Sequence, residues 1–197
     1  QRQMCIRDST NSVVNGTHVE LPYYNSFEDA ECLNFFTNHN INDDGTGRTW
    51  SWNYVKKQIG TSPAPNFYNN NYWLFTPGFN TDTEHVYRAS FDFTPNGNDY
   101  TKNVRCLITL GTEADEHSPA DTLMLYDASK GDKCRKNLYF RVPKAGKYHV
   151  GFWDYSLFDD NDNGGYVILD SLESTEALSI NAPARVENLT LTPAEGG

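Results

Sequence analysis

The chain has 197 residues, with 26 Asp and Glu against 16 Lys and Arg and a formal charge of −10. That balance excludes a phosphate-tracking surface, because nucleic acid or an anionic membrane is met by clustered Lys and Arg. No apolar run approaches the roughly 18 residues of a membrane-spanning helix.

In chain order, residues 1–9 (QRQMCIRDS) carry no hydrophobic period and match a translated sequencing adapter, so the native part is taken to begin near Thr10. Setting that run aside removes Arg2, Arg7 and Asp8, which moves the formal charge from −10 to −11, and it removes Cys5. A reading frame cut at this end would show no signal peptide even where the parent gene encodes one. From there, short runs of alternating apolar and polar residues predict strands at 17–21, 49–55, 72–76, 86–93, 104–111, 122–126, 138–142, 148–155 and 166–172. The segment 26–34 is read as a helical turn, with Glu28, Asp29 and Glu31 crowding its start. Nine short strands separated by Pro, Gly, Asn and Asp clusters predict a sandwich or jelly roll rather than βαβ units. The runs 138–142 and 148–153 flank Pro143-Lys144-Ala145-Gly146, which predicts a β-hairpin.

The remaining cysteines, Cys32, Cys106 and Cys134, show no C-x-x-C spacing and no paired His, which gives zinc little support. Cys32 and Cys106, among apolar neighbours, are read as small buried thiols, with one disulfide left open for an exported protein, and Cys134 as exposed. The loop 159–165, DDNDNGG, opens like an EF-hand calcium loop, but its Gly arrives late and no Glu follows at the twelfth position. An exposed acidic turn is the better reading.

Aromatics make up 14% of the chain, enough to supply both a core and a sugar-binding surface. Trp50-Ser51-Trp52-Asn53-Tyr54 puts three rings on one strand face, and residues 66–73 interleave rings with amides. Trp50, Trp73 and Trp153 are read as core. Trp52, Tyr54, Tyr68 and Asn70 are the ligand-binding candidates.

Five segments together carry a family resemblance: Leu21-Pro22-Tyr23-Tyr24-Asn25-Ser26-Phe27-Glu28-Asp29, Tyr72-Trp73-Leu74-Phe75-Thr76-Pro77, Ser90-Phe91-Asp92-Phe93, residues 142–152 (VPKAGKYHVGF) and Val167-Ile168-Leu169-Asp170-Ser171-Leu172-Glu173. In this order they resemble the cleaved-adhesin, or choice-of-anchor, domains of secreted and surface proteins of Bacteroidetes-type bacteria. The resemblance implies an all-β, antiparallel jelly-roll β-sandwich of the galactose-binding or MAM-like kind over residues 10–180. Residues 183–197 resemble the first strand of a fibronectin type III module, and the expectation from that resemblance is a piece of a multidomain protein.

The resemblance also implies structural calcium, with Glu28 and Asp170 as first ligands and Asp43 and Asp44 as loop contributors; calcium takes six to eight oxygens. One departure bears on this: where family members often carry a longer run of alternating Asp and Gly, this chain has only Asp43-Asp44-Gly45.

There is no H-E-x-x-H, no G-x-S-x-G and no Gly-rich phosphate loop, and the five His are scattered. The expected function is therefore a non-catalytic adhesin or carbohydrate-binding module, secreted or on the cell surface. Its partner would be a glycan or a host or matrix protein. The alternatives are a spacer between flanking domains and, less favoured, a hydrolase using paired carboxylates.

Overall fold

The computed structural model describes residues 18–42, 48–64, 69–97, 103–158 and 164–179. Within them thirteen strands form two sheets, with one 3-10 turn at Ala30–Leu33. The strands are β1 (His18–Val19), β2 (Tyr23–Asn25), β3 (Thr37–Asn40), β4 (Ser51–Asn53), β5 (Gln58–Gly60), β6 (Tyr72–Phe75), β7 (Gly78–Thr81), β8 (His85–Asn96), β9 (Val104–Gly111), β10 (Pro119–Ala128), β11 (Cys134–Phe140), β12 (Gly146–Asp154) and β13 (Tyr166–Ser179).

In the first sheet β12 is the central strand. It pairs with β9 on one side, which carries β10, and with β6 and β7 on the other, which carry β3 and β1. The second sheet runs β11-β8-β13-β5-β4, with β2 also on β13. All pairs are antiparallel except β1 with β7, and the architecture is the jelly-roll β-sandwich expected.

The core explains why these segments pair. Tyr87, Ala89, Phe91 and Phe93 of β8 and Val167 and Leu169 of β13 alternate inward from the second sheet. Tyr72 and Leu74 of β6, Cys106, Ile108 and Leu110 of β9, and Val150 and Phe152 of β12 meet them from the first. Period-two burial of this kind fixes register, since a one-residue slip would turn every one of these side chains to water. Trp50 closes the core as expected, edge-on to Phe152 at 6.4 Å, with its indole N–H donated to the Tyr72 carbonyl at 3.1 Å.

The hairpin expected around Pro143–Gly146 does not form. β11 pairs with β8 in the second sheet, whereas β12 pairs within the first, so the connection arches from one sheet to the other. Phe140, Val142 and Tyr148 all enter the core along the arch, which is a burial pattern a single half-solvated hairpin would not show. Cys106 is buried and Cys134 exposed, as expected, while Cys32 is half-buried rather than buried; none of the three is in a disulfide among the described residues. The adapter-like run 1–9, the loop residues 159–163 and the fibronectin-like segment 183–197 lie outside the described residues.

Candidate functional site

The outer face of the first sheet departs from the usual division of labour. An antiparallel sheet with its core on one side normally shows polar residues on the other. Here the alternation that sends Tyr72 and Leu74 inward sends Trp73 and Phe75 outward, and the one that sends Phe152 inward sends Trp153 outward. Trp73 and Phe75 are well covered, yet they do not belong to the cluster between the sheets. Trp73 is buried as expected, though on the far face of β6 and not between the sheets, whereas Trp153 is only half-buried, which corrects its reading as core.

Strand register lines the row up. His39, Trp73, Trp153, Leu107 and Leu125 sit opposite one another across β3, β6, β12, β9 and β10. Phe75 stacks on Trp73 with ring centroids 5.3 Å apart and planes 7° off parallel. Trp73 stacks on Trp153 at 5.1 Å and 5°, and Trp153 on Tyr155 at 4.5 Å and 29°. His39 meets Phe75 edge-on at 5.9 Å. Leu125, 61% exposed, ends the apolar row on the β10 side.

Polar groups rim this band. The Trp153 indole N–H is donated to Asn71 Oδ1 at 2.8 Å. Arg105 Nε lies 3.3 Å from Asp127 Oδ1, two pairs further along β9 and β10. The rim thus holds one neutral amide, one planar cation and one carboxylate beside the stacked rings.

The ligand candidates read from sequence are not brought together. Trp52 is half-buried on β4 at the edge of the second sheet, donating its indole N–H to the Phe27 carbonyl at 2.8 Å, with Lys57 Nζ 5.0 Å from its ring centroid. Tyr54, 74% exposed, stands in the turn after β4. Tyr68 lies outside the described residues. Asn70 is buried: its amide N–H groups are donated to Asp154 Oδ2 (2.8 Å) and the Gly165 carbonyl (3.1 Å), and its Oδ1 accepts from Ala64 N (2.7 Å). It serves the fold, with both amide hydrogens and the amide oxygen engaged inside the protein.

The calcium candidates are likewise spread. Glu28 is exposed on the chain that leaves β2 toward the Asp170 end of β13. Asp43 and Asp44 lie outside the described residues. Asp170 already holds a cation of the chain itself, because Lys133 Nζ sits 2.9 Å from its Oδ2 and 3.0 Å from Oδ2 of Asp92, its cross-strand partner. Those two carboxylates push the Lys133 ammonium above its ordinary pKa. Among the described residues neither Glu28 nor Asp170 belongs to a group of three ligand-bearing side chains, so they do not by themselves fit calcium. Asp92, Arg135, Glu173 and Arg88 continue an ion-pair lattice over this face. The two carboxylates face a lysine and not a cleft.

A separate cavity of about 380 Å³ is lined by Leu110, Asp121, Arg141, Val142, Pro143 and Tyr148. None of these residues belongs to the aromatic row.

No family model matches the chain, and no curated protein matches it. Among solved structures, it is similar to the K1 cleaved adhesin domain of Lys-gingipain from Porphyromonas gingivalis W83. That match has 14% identity, covers 79% of this chain and 98% of the other, and has a TM-score of 0.57. The K3 cleaved adhesin domain of the same protein matches at 15% identity over 72% of this chain and 91% of the other, with a TM-score of 0.53. A two-module fragment of endo-1,4-beta-D-xylanase 10B from Clostridium thermocellum, solved with xylohexaose, matches at 13% identity. It is covered over 79% of this chain and 28% of its own, with a TM-score of 0.50. Likeness at these identities establishes the fold.

Proposed function

We propose that the described domain is a non-catalytic sugar-binding module of the adhesin type, and that it binds through the aromatic row on the outer face of the first sheet. The observation that carries this reading is the stack Phe75, Trp73, Trp153 and Tyr155, in which Trp153 and Tyr155 are partly exposed and can meet a ligand while Phe75 and Trp73 are buried and hold them in place. The Lys-gingipain domains and the xylohexaose-bound xylanase modules share its fold, which supports the reading by analogy. The formal charge of −10 repels polyanions, so the ligand class is a neutral glycan rather than a sulfated or uronic one. The domain takes residues 10–180, with 183–197 as the start of a fibronectin-like neighbour, in a secreted or cell-surface protein whose flanking domains position it.

The test is binding of the full chain to a panel of neutral and anionic polysaccharides and matrix proteins. Saturable binding to a neutral glycan is expected, with Trp153→Ala and Tyr155→Ala each weakening it by about tenfold or more. Trp52→Ala, on the other sheet, leaves it unchanged. A folded domain that retains nothing on the panel is a spacer. Capture of a matrix protein untouched by Trp153→Ala would move the site elsewhere.

Structural calcium at Glu28, Asp43, Asp44 and Asp170 is the second part of the proposal. Its support is positional, from the pairing of β2 with β13, and the ion would have to displace Lys133 from Asp170. Melting in calcium and in chelator tests it: a midpoint raised by calcium is the expected outcome, and an identical midpoint removes calcium from the account.

A further inference from the structure

The loop 112–118 between β9 and β10 carries Asp115, Glu116 and His117, and one ligand atom from each lies within 4.8 Å of the others. A fourth donor arrives from a strand far away in sequence: His39 Nδ1, on β3, is 2.9 Å from Glu116 Oε2. On the other side His117 Nε2 lies 3.6 Å from Glu116 Oε1. One carboxylate is thus bracketed by two imidazoles from separate elements, with a second carboxylate beside them. Asp115 Oδ1 at present accepts the His117 backbone N–H at 2.6 Å. The group is open to solution, since the side chains of His39, Glu116 and His117 are 36%, 20% and 84% exposed.

We propose that His39, Asp115, Glu116 and His117 form a binding site for a divalent transition-metal ion of the zinc class. Two imidazole nitrogens and two carboxylate oxygens make a four-coordinate set with zero net charge once the ion is bound, and imidazole selects such ions over calcium or magnesium. Calcium is excluded by count, because two carboxylates and two imidazoles fall short of six to eight oxygens. Ligand atoms around tetrahedral zinc stand about 3.3 Å apart, so Asp115, Glu116 and His117, now within 4.8 Å of one another, have to close by up to about 1.5 Å, and His39, outside that group but bonded to Glu116, has to turn in with them. It connects two strands at the surface, and His117 is free to swing inward. Coordination through His39 Nδ1 uses the lone pair on that nitrogen, and the imidazole proton then resides on Nε2, where solvent delivers it. The bound ion would tie the β9–β10 loop to β3. His39 is also the ring edge-on to Phe75, so the tie lies beside the aromatic row. The site does not depend on whether that row binds sugar.

The experiment is a zinc titration of the full chain, followed by calorimetry and by the imidazole NMR signals. One-to-one saturable uptake is expected, with the signals of His39 and His117 moving in step while those of His85 and His149 stay in place. His117→Ala and His39→Gln each weaken binding by at least about tenfold, and calcium in large excess does not compete. His117 is so exposed that its removal leaves the fold intact, so that variant decides the matter even where His39→Gln lowers the melting point. Absence of saturable uptake, or uptake unaffected by His117→Ala, overturns the proposal.

Discussion

Replacing Asp154 by Ala is expected to lower stability by about 3–5 kcal/mol, because buried hydrogen-bond donors left without an acceptor cost about 1–3 kcal/mol each. Asp154 ends β12 with no exposure to solvent. Its Oδ2 accepts from the Thr61 hydroxyl and from Asn70 Nδ2 at 2.8 Å, and its Oδ1 from Ser156 N at 3.0 Å and Ser156 Oγ at 2.5 Å. Burial pushes the carboxyl above the usual carboxylate range, and the four donors oppose that push. The same partners reach further. Thr61 Oγ1 accepts from Val167 N at 3.0 Å, and Asn70 holds Ala64 and Gly165. One side chain therefore ties the first sheet to β13 of the second and to two connecting segments. Truncation strands at least two buried donors, each costing about 1–3 kcal/mol. At about 2–4 °C per kcal/mol for a domain of this size, the midpoint falls by roughly 6–20 °C. Asp154→Asn, which keeps the shape and one acceptor, costs about 1–2 kcal/mol. A midpoint for Asp154→Ala within a degree or two of the parent would show that the network contributes nothing to stability.

Which strands were legible in the sequence follows from where each finds its order. β8, β9, β12 and β13 carry long alternation, and each was predicted near its observed position. β3 reads Thr37-Asn38-His39-Asn40, wholly polar, and is a strand because β6 supplies its partners. β2, β5 and β7, three or four residues each, give too short a run for any period to show. The helical turn at 26–34 is present as the 3-10 turn Ala30–Leu33. The missed arch after β11 has a different cause. A short Pro- and Gly-containing link between two apolar runs reads the same whether the runs pair or cross to opposite sheets, and only the burial of Phe140, Val142 and Tyr148 tells them apart.

The candidate site was less legible, because its members come from strands spread between Thr37 and Asp154 in sequence order and meet only through register. A partial signal existed: Tyr72-Trp73-Leu74-Phe75 is apolar on both faces, which a strand with one solvated side does not need. Trp50 and Trp52 show the opposite trap. At period two they share a strand face, yet Trp50 enters the core while Trp52 ends half-buried at the sheet edge. Asn70 looked like its neighbours Asn69 and Asn71 in a run of three. Asp154, 84 residues away, makes it the buried one, and nothing local could announce that.

Gly151→Val is expected to cost about 1–3 kcal/mol by overpacking and, with it, most of the sugar binding. Gly151 lies on β12 directly between Phe75 of β6 and Thr109 of β9. A Cβ there would stand 2.6 Å from Thr109 Oγ1, 2.9 Å from Phe75 Cε1 and 3.0 Å from Phe75 Cδ1. The Thr109 hydroxyl can rotate away, but the Phe75 ring cannot slide freely, since it lies 5.3 Å from Trp73 and nearly parallel to it. Displacing it disturbs Trp73 and through it Trp153, so tryptophan emission should change even though no tryptophan is substituted. The argument has an internal control. Phe75→Leu removes the obstructing ring, so Gly151→Val in that background should cost less than in the parent, a non-additivity expected of neighbours that share one space. Strict additivity would place the clash elsewhere. Loss of stability with full retention of glycan affinity would show that the sheet needs the row but the ligand does not, and would return the binding function to another surface.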